Sequence, residues 1–104
     1  EGTPTGNFLN PLGGIHGGWI AALLDSAMGC AVHTRLAAGQ AYTTVEFKLN
    51  LVKAVTPATG TLRCEGRVLQ LGSRIATAEG FVRDPAGALY AHGTETCLIM
   101  AART

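Results

Sequence analysis

Asp25 is the residue whose type fits its surroundings least. It follows Ala21–Leu24 and precedes Ser26–Met28, in a stretch that is otherwise apolar or small. A carboxylate there costs several kcal/mol unless it is paired or used. A neighbouring arginine, or a helix tilt that exposes one position, would be a structural reason for it. A general base or a nucleophile would be a chemical reason, and both explanations stay open at this point.

A second polar group lies where a loop meets this apolar stretch. His16, Gly17 and Gly18 stand at the junction. A helix that begins there presents unpaired backbone N–H groups and a partial positive charge. Glycine lets a ligand approach the backbone closely, which suits a carbonyl oxygen that gains negative charge during acyl transfer. The alternative is that the two glycines only permit a tight turn.

The spacing between these two groups restricts how they can cooperate. His16 and Asp25 are nine residues apart, which in an α-helix is about 13 Å of rise and about 180° of rotation. Within one chain they are too far apart to act on one carbonyl. Either they are unrelated, or the site is built from two copies, with Asp25 of one subunit facing the Gly17 amide of the other in a two-fold dimer.

Two further polar residues are weaker candidates. Asn10 lies six residues before His16 and could aim its amide into the site, although a loop asparagine more often forms a turn. Thr44 begins the polar face of a predicted strand and could hydrogen-bond a water molecule or a carboxylate. Threonine is common in strands, so Thr44 alone says little.

The elements that must position these residues follow from composition and periodicity. Residues 1–15 are rich in Gly, Pro and Asn and are predicted to be a loop. The Ala- and Leu-rich stretch Gly17–Leu36 is predicted to be a helix that stops before Gly39. This helix is apolar nearly all round and is therefore expected to be buried.

Beyond Gly39 the pattern alternates. Strands are predicted at Tyr42–Lys53, Thr59–Leu71, Arg74–Arg83 and Ala88–Met100. In the first strand Thr43, Val45, Phe47, Leu49 and Leu51 share one face, with Thr44, Glu46, Lys48 and Asn50 on the other. Short links predict sequential antiparallel pairing. The fold class is α+β, an antiparallel sheet wrapped around one long helix, and the exposed edge strand favours assembly.

Bulk composition narrows the function classes. The 104 residues fit one domain, and only 14% are charged against about 25% in an average domain, which again suggests self-association. The net charge of +1 gives no footprint for nucleic acid or an anionic membrane. Cys30, Cys64 and Cys97 form no C-x-x-C pair and are expected to be buried thiols in a reducing compartment. With no apolar run long enough to span a membrane, we expect a cytoplasmic protein.

Together these residues resemble the hotdog-fold thioesterases, specifically the phenylacetate-degradation (PaaI-type) branch. The pattern N-P-x-G-x-x-H-G-G is present as Asn10–Gly18, and L-x-D-x-A-x-G is present as Leu23–Gly29. Further matching segments are Thr43–Leu51, Val55–Gly60, Gly72–Arg74 and Ala91–Thr94. Only nine residues precede Asn10, so the first strand of that branch is expected to be shortened or missing. The branch's aromatic-Leu-Arg is also altered, although Lys53 keeps a basic residue there.

The resemblance implies an acyl-CoA thioesterase that works as a homodimer or homotetramer, with no metal or redox cofactor. The Gly17 amide would polarise the thioester carbonyl, next to Gly18. Asp25 of the facing subunit would be nucleophile or general base. Asn10 would position water or the carbonyl, His16 would shape the turn, and Thr44 would orient Asp25 or the water. The residues expected near the CoA phosphates are Gly72, Ser73 and Arg74.

Three rival functions are weighed against this one. A hotdog β-hydroxyacyl dehydratase would pair a histidine with a carboxylate, but the spacing from His16 to Asp25 favours hydrolysis. A non-catalytic acyl-CoA sensor has no need of Asp25. Metal-dependent hydrolysis by His16, His33 and His92 lacks any recognisable ligand spacing.

Overall fold

The computed structural model describes residues 1–102 and contains one long helix packed on one sheet. Helix α1 spans Gly17–His33. Four strands follow it: β1 is Gln40–Leu51, β2 is Arg63–Leu71, β3 is Ile75–Arg83 and β4 is Leu89–Ala101. All neighbouring strands are antiparallel. The predicted α+β hotdog architecture is therefore confirmed.

The strand order is β1-β4-β3-β2, which corrects the prediction of purely sequential pairing. Strands β2, β3 and β4 do pair in sequence, but β1 pairs with β4. The link between β1 and β2 is not a hairpin turn. Its Val55 is buried and accepts a hydrogen bond from the Ile15 N–H at 2.7 Å. This packing against the N-terminal loop carries the chain to the opposite edge of the sheet.

A row of glycines lets α1 lie close to the sheet. Gly66, Gly80 and Gly93 are in register across β2, β3 and β4. A Cβ on Gly66 would overlap the Ala27 carbonyl group of α1, and one on Gly80 would lie 3.0 Å from Leu24 Cδ2. Side chains at Gly66 and Gly80 would push the helix away from the sheet, whereas one at Gly93 would overlap the Lys48 carbonyl group of β1. The glycine row therefore fixes the depth at which α1 is seated.

Only one side of α1 is covered by the sheet, so the prediction of a buried helix holds for that side alone. Its buried side holds Ile20, Leu24, Met28, Gly29 and Val32. Its open side holds Gly18, Ala22, Ser26, Cys30 and His33. Cys30 is thus exposed rather than buried as predicted, while Cys97 is buried and Cys64 is half-buried. A single sheet layer cannot cover both sides of a helix, so this small-residue side is left open.

The element ends differ from the predicted ones by a few residues. Helix α1 ends at His33, where Thr34 caps it, rather than at Leu36. Gly39, at φ +84°, makes the turn into β1. β2 begins at Arg63 rather than Thr59, because Pro57–Thr59 form a 3-10 turn. Within residues 1–102, no helix has the length and apolar character that a membrane crossing requires.

Candidate active site

Asp25 lies at the middle of α1, half-buried, with its carboxylate turned toward β1. Thr44 Oγ1 is 3.3 Å from Asp25 Oδ1. The ion pairs among residues 1–102 are Arg63 with Glu1 and Arg67 with Glu79, so no arginine in this part of the chain pairs with Asp25, contrary to the arginine explanation. Asp25 is held by a hydroxyl group rather than neutralised by a cation.

Thr44 reaches Asp25 because β1 contains a β-bulge. The pairing with β4 shifts between Thr44 and Glu46, which leaves Val45 without a partner. The extra residue reverses the alternation of faces. Thr44 therefore points toward α1, on the same face as Leu49. The predicted face assignment, with Thr44 beside Glu46 on a polar face, is wrong for this reason.

Glu95 on β4 is the member of the site that the sequence reasoning missed. Its side chain is 1% exposed. Its Oε1 lies 2.5 Å from Thr44 Oγ1, and its Oε2 is buried with no hydrogen-bond partner within residues 1–102. Burial, followed by the neighbouring Asp25 carboxyl group, raises the pKa of Glu95 to about 7, whereas a hydrogen bond that Thr44 donates to the ionised form of Glu95 opposes this shift. Two carboxyl groups thus flank one hydroxyl.

The parity of β4 contained the signal for Glu95. Ala91, Gly93 and Cys97 share its parity and are buried, whereas the intervening His92 and Thr94 are not. Glu95 therefore lies on the face of β4 that points into the core. A glutamate on such a face is as unusual as Asp25 among the apolar residues of its helix. The parity of β4 therefore marks Glu95 as a buried carboxyl group.

The N-terminus of α1 has one free donor. His16 caps the helix, with its Nδ1 accepting a hydrogen bond from the Gly18 N–H at 2.8 Å and its carbonyl accepting one from the Trp19 N–H at 3.0 Å. Within residues 1–102, no acceptor binds the Gly17 N–H. His16 therefore shapes the turn, and the Gly17 amide is left with its N–H free at the positive end of the helix.

Asn10 acts as a turn former in this structure. Its Oδ1 accepts hydrogen bonds from the Leu12 N–H at 2.9 Å and from the Gly14 N–H at 3.1 Å. These bonds brace the loop that leads to His16. The side-chain NH2 group of Asn10 donates no hydrogen bond to any acceptor within residues 1–102. Any direct contact of Asn10 with a ligand would use that group.

Gly72, Ser73 and Arg74 lie in the turn between β2 and β3. They line a cavity of about 290 Å³ that also includes Gln70, Ile75 and Thr77. The turn is closed by a hydrogen bond from the Gly72 N–H to the Ile75 carbonyl at 2.8 Å. A second cavity of about 350 Å³ lies beside charged residues of β2 and β3, including Arg63 and Arg83. Neither cavity includes Asp25 or Gly17.

Within one chain the parts of the site are spread along the sheet. Gly17 lies near Leu51, which pairs with Ala91, and the β2–β3 turn lies beside Ile75, which pairs with Leu98. Seven residues of β4 separate these two levels, or about 24 Å. Asp25 is eight residues beyond Gly17, about 12 Å along α1. One chain joins Asp25, Thr44 and Glu95, but not the Gly17 amide or Arg74.

The three histidines occupy separate places. His16 caps α1, the His33 ring lies 5.8 Å from the Tyr42 ring, and the His92 ring stacks on Phe81 at 6.5 Å between centroids. Among residues 1–102, no three His, Cys, Asp or Glu side chains are grouped closely enough to hold a metal ion. The geometry therefore does not support a metal site built from these histidines.

Comparison with known proteins places this chain in a family. The model of the thioesterase superfamily matches residues 12–91. The chain is 36% identical over 86 residues to a Halobacterium salinarum protein named as a candidate esterase, covering 83% of this chain and 56% of that protein. The chain thus spans little more than half of that relative's length.

Two solved structures are similar in fold and sequence. A Bacillus halodurans protein crystallised with CoA has a TM-score of 0.83 and 34% identity, over 92% of this chain and 62% of that one. A Ralstonia eutropha protein, described as a candidate thioesterase related to phenylacetic acid degradation, has a TM-score of 0.84 and 29% identity, over 92% and 70%. The resemblance to the PaaI-type branch is confirmed, and this chain belongs to the thioesterase superfamily.

Proposed function

We propose that this protein hydrolyses acyl-CoA thioesters to the free acid and CoA. The observation that carries the proposal is Asp25, a carboxylate in the middle of α1 that has no cation partner within residues 1–102 and is bonded to Thr44, in a helix whose first amide is free. The similarity to thioesterases and to a protein crystallised with CoA supports the same substrate class. An aryl or a short- to medium-chain acyl group is proposed, without a choice between them.

In the proposed reaction the thioester carbonyl oxygen accepts a hydrogen bond from the Gly17 N–H. The partial positive charge at the start of α1 stabilises the negative charge that develops on this oxygen. Asp25 takes a proton from a water molecule that attacks the carbonyl carbon, or attacks that carbon itself to give an anhydride that water then opens. The C–S bond breaks and the CoA thiolate leaves. Thioesters are already activated, so the proposal needs no metal or redox cofactor.

The remaining residues have supporting roles in this proposal. Thr44 orients Asp25, and His16 holds the turn that keeps the Gly17 amide free. The NH2 group of Asn10 would position the water or the carbonyl. Arg74, with Gly72 and Ser73, would meet the CoA phosphates, for which a guanidinium is well suited.

The proposed site is shared by two subunits. Asp25 and the Gly17 amide of one chain are about 12 Å apart, too far to contact the same carbonyl group. A two-fold axis beside β1 would bring Asp25 of one subunit to the Gly17 amide of the other, twice per dimer. The open side of α1 carries small side chains, which would let a second subunit approach closely.

The two edges of the sheet differ in a way that favours β1 as the seam. On β1 three apolar side chains are exposed: Val45 at 56%, Phe47 at 45% and Leu51 at 56%. An edge strand that exposes so much apolar surface is unusual unless another chain covers it. Strand β2 also exposes Leu69 and Leu71, but it carries three charged residues, Arg63, Glu65 and Arg67, against two on β1, and such charge protects an edge from pairing. We therefore propose a homodimer through β1. A tetramer would need a further interface.

Thiol release from a panel of aryl- and alkyl-CoA esters tests the proposed function. We expect hydrolysis by the wild type and a loss of about 100-fold or more in kcat/KM for Asp25→Asn, with CoA binding retained. Glu46→Gln is the matched control, because Glu46 is an exposed carboxylate on β1 that bonds Thr96 on the outer face. This control should hydrolyse at the wild-type rate.

The outcomes separate the rival functions. Acyl-CoA binding without hydrolysis in either protein would favour a sensor and contradict the enzyme proposal. Dehydration of β-hydroxyacyl-CoA without thiol release would favour a dehydratase. Hydrolysis that persists in Asp25→Asn would remove Asp25 from the mechanism.

A further inference from the structure

The contacts of Thr44 require an additional proton. Its oxygen is within hydrogen-bonding distance of Asp25 Oδ1 at 3.3 Å and of Glu95 Oε1 at 2.5 Å. A threonine hydroxyl has one proton and can donate it to only one of these oxygens. The other contact is attractive only if the carboxyl group is itself protonated and donates to Thr44. One of the two carboxyl groups must therefore be neutral.

The surroundings indicate which carboxyl group holds this proton. Glu95 is 1% exposed, and its Oε2 has no partner in residues 1–102. Asp25 is half-buried and lies closer to solvent. Desolvation disfavours the charged form of the more deeply buried group. Glu95 is therefore the protonated member of the pair.

The other groups around Glu95 supply no compensating charge. Asp25 faces it from α1, Tyr42 from β1 and Cys97 from β4. Burial raises the pKa of Tyr42 and of Cys97, so both are neutral at pH 7. On β3 the residue paired with Glu95 is Ala78, which has no charge. With no cation facing it within residues 1–102, an ionised Glu95 would repel the Asp25 carboxylate directly.

We propose that Glu95 is a positioning residue of the thioesterase site, which donates its carboxyl proton to Thr44 so that Thr44 donates its own proton to the Asp25 carboxylate. This chain of two hydrogen bonds fixes the orientation of Asp25 and leaves its other oxygen for water or substrate. No proton is consumed during turnover, because Glu95 keeps its proton throughout. The inference rests on the proposed function, since it assigns Asp25 as the reacting group.

The chain of two hydrogen bonds from Glu95 through Thr44 to Asp25, called here the relay, predicts a pH dependence of the reaction. When Glu95 loses its proton, Thr44 can no longer serve both carboxylates, and the two negative charges repel. Activity should then fall as the pH rises through about 7, where the pKa of Glu95 lies. The fall should approach about tenfold per pH unit if only the form with neutral Glu95 is active.

The test is the pH profile of kcat/KM for thiol release in the wild type and in Glu95→Gln. Glutamine can donate an N–H to Thr44 and never ionises. We expect Glu95→Gln to keep a reduced activity that no longer falls above pH 7. Thr44→Val, which breaks the relay, should lose activity at every pH, and Glu46→Gln should keep the wild-type profile.

Each outcome decides the inference. If the wild type is active and its alkaline fall persists unchanged in Glu95→Gln, the positioning role is overturned while the proposed function stands. If the folded wild type hydrolyses no thioester, the function and the role fail together. Should Glu95→Gln fail to fold, infrared spectra of the wild type decide. A protonated-carboxyl band that disappears as the pH rises through about 7 supports the inference, and its absence at lower pH overturns it.

Discussion

The hydroxyl of Thr44 lies 3.3 Å from the Asp25 carboxylate and joins the middle of α1 to the edge strand β1. This contact places the carboxylate that we propose to be reactive next to the strand through which we propose that two subunits meet. Thr44 makes it because the bulge at Val45 turns its side chain toward the helix. The catalytic geometry and the proposed seam thus depend on the same few residues of β1.

Gly17→Pro should remove the proposed oxyanion donor while keeping the helix. Gly17 is the first residue of α1, a position that tolerates proline, and His16 already has the extended conformation that a following proline requires, with φ −59° and ψ 134°. We expect kcat/KM to fall by about 100- to 1000-fold, because the substituted position has no N–H. Thiol-release kinetics measure the effect, and circular dichroism checks the fold.

Gly17→Ala is the matched control for this substitution. It keeps the N–H and adds a Cβ at 3.0 Å from the flexible end of Leu51. Its activity should therefore lie well above that of Gly17→Pro. Equal activity of the two variants would show that the Gly17 amide does not stabilise the transition state.

Val45→Lys should separate the subunits. Val45 is the 56% exposed bulge residue of β1, and a charge there opposes burial in the proposed seam. We expect a shift toward monomer in analytical ultracentrifugation, together with a loss of hydrolysis. Leu69→Lys is the control, because Leu69 is the 53% exposed bulge residue of the opposite edge strand β2. A dimer that survives Val45→Lys but not Leu69→Lys would place the seam on β2.

Glu95 should make the protein less stable as the pH rises. Its pKa is about 7 in the folded chain against an ordinary value of 4.5, so the folded state holds the proton more tightly than the unfolded state. The free energy of unfolding should then fall as the pH rises from about 4.5 to about 7, by an amount on the order of 3 kcal/mol. Urea unfolding at fixed protein concentration measures it, and Glu95→Gln should flatten the dependence. An equally steep dependence in that variant would contradict this assignment.

Much of the fold could be predicted because periodicity is a local property. The Ala- and Leu-rich run predicts α1, and alternation predicts four strands, each within a few residues of its place. Pairing of β1 with β4 could not be predicted, because it depends on where Val55 packs in three dimensions. The bulge at Val45 also leaves no clear local signal, since valine fits a regular strand equally well.

The site could be predicted only in part, for a related reason. Asp25 is conspicuous because its neighbours in sequence are apolar. Glu95 is surrounded in sequence by Thr94 and Thr96, and its burial appears only when the faces of β4 are separated. The link between Asp25 and Glu95 passes through Thr44, whose orientation depends on the bulge. A contact that relies on three elements cannot be read from any one segment.

Subunit complementation tests the shared site most directly. Asp25→Asn and Gly17→Pro are each expected to be nearly inactive, but a dimer with one subunit of each kind has one intact site, formed by Gly17 of the first and Asp25 of the second. Unfolding, mixing in equal amounts and refolding should restore about one quarter of the wild-type activity, since about half of the dimers are mixed and each has one working site of two. Activity in the mixture no greater than that of the separate variants would contradict a site built from two subunits.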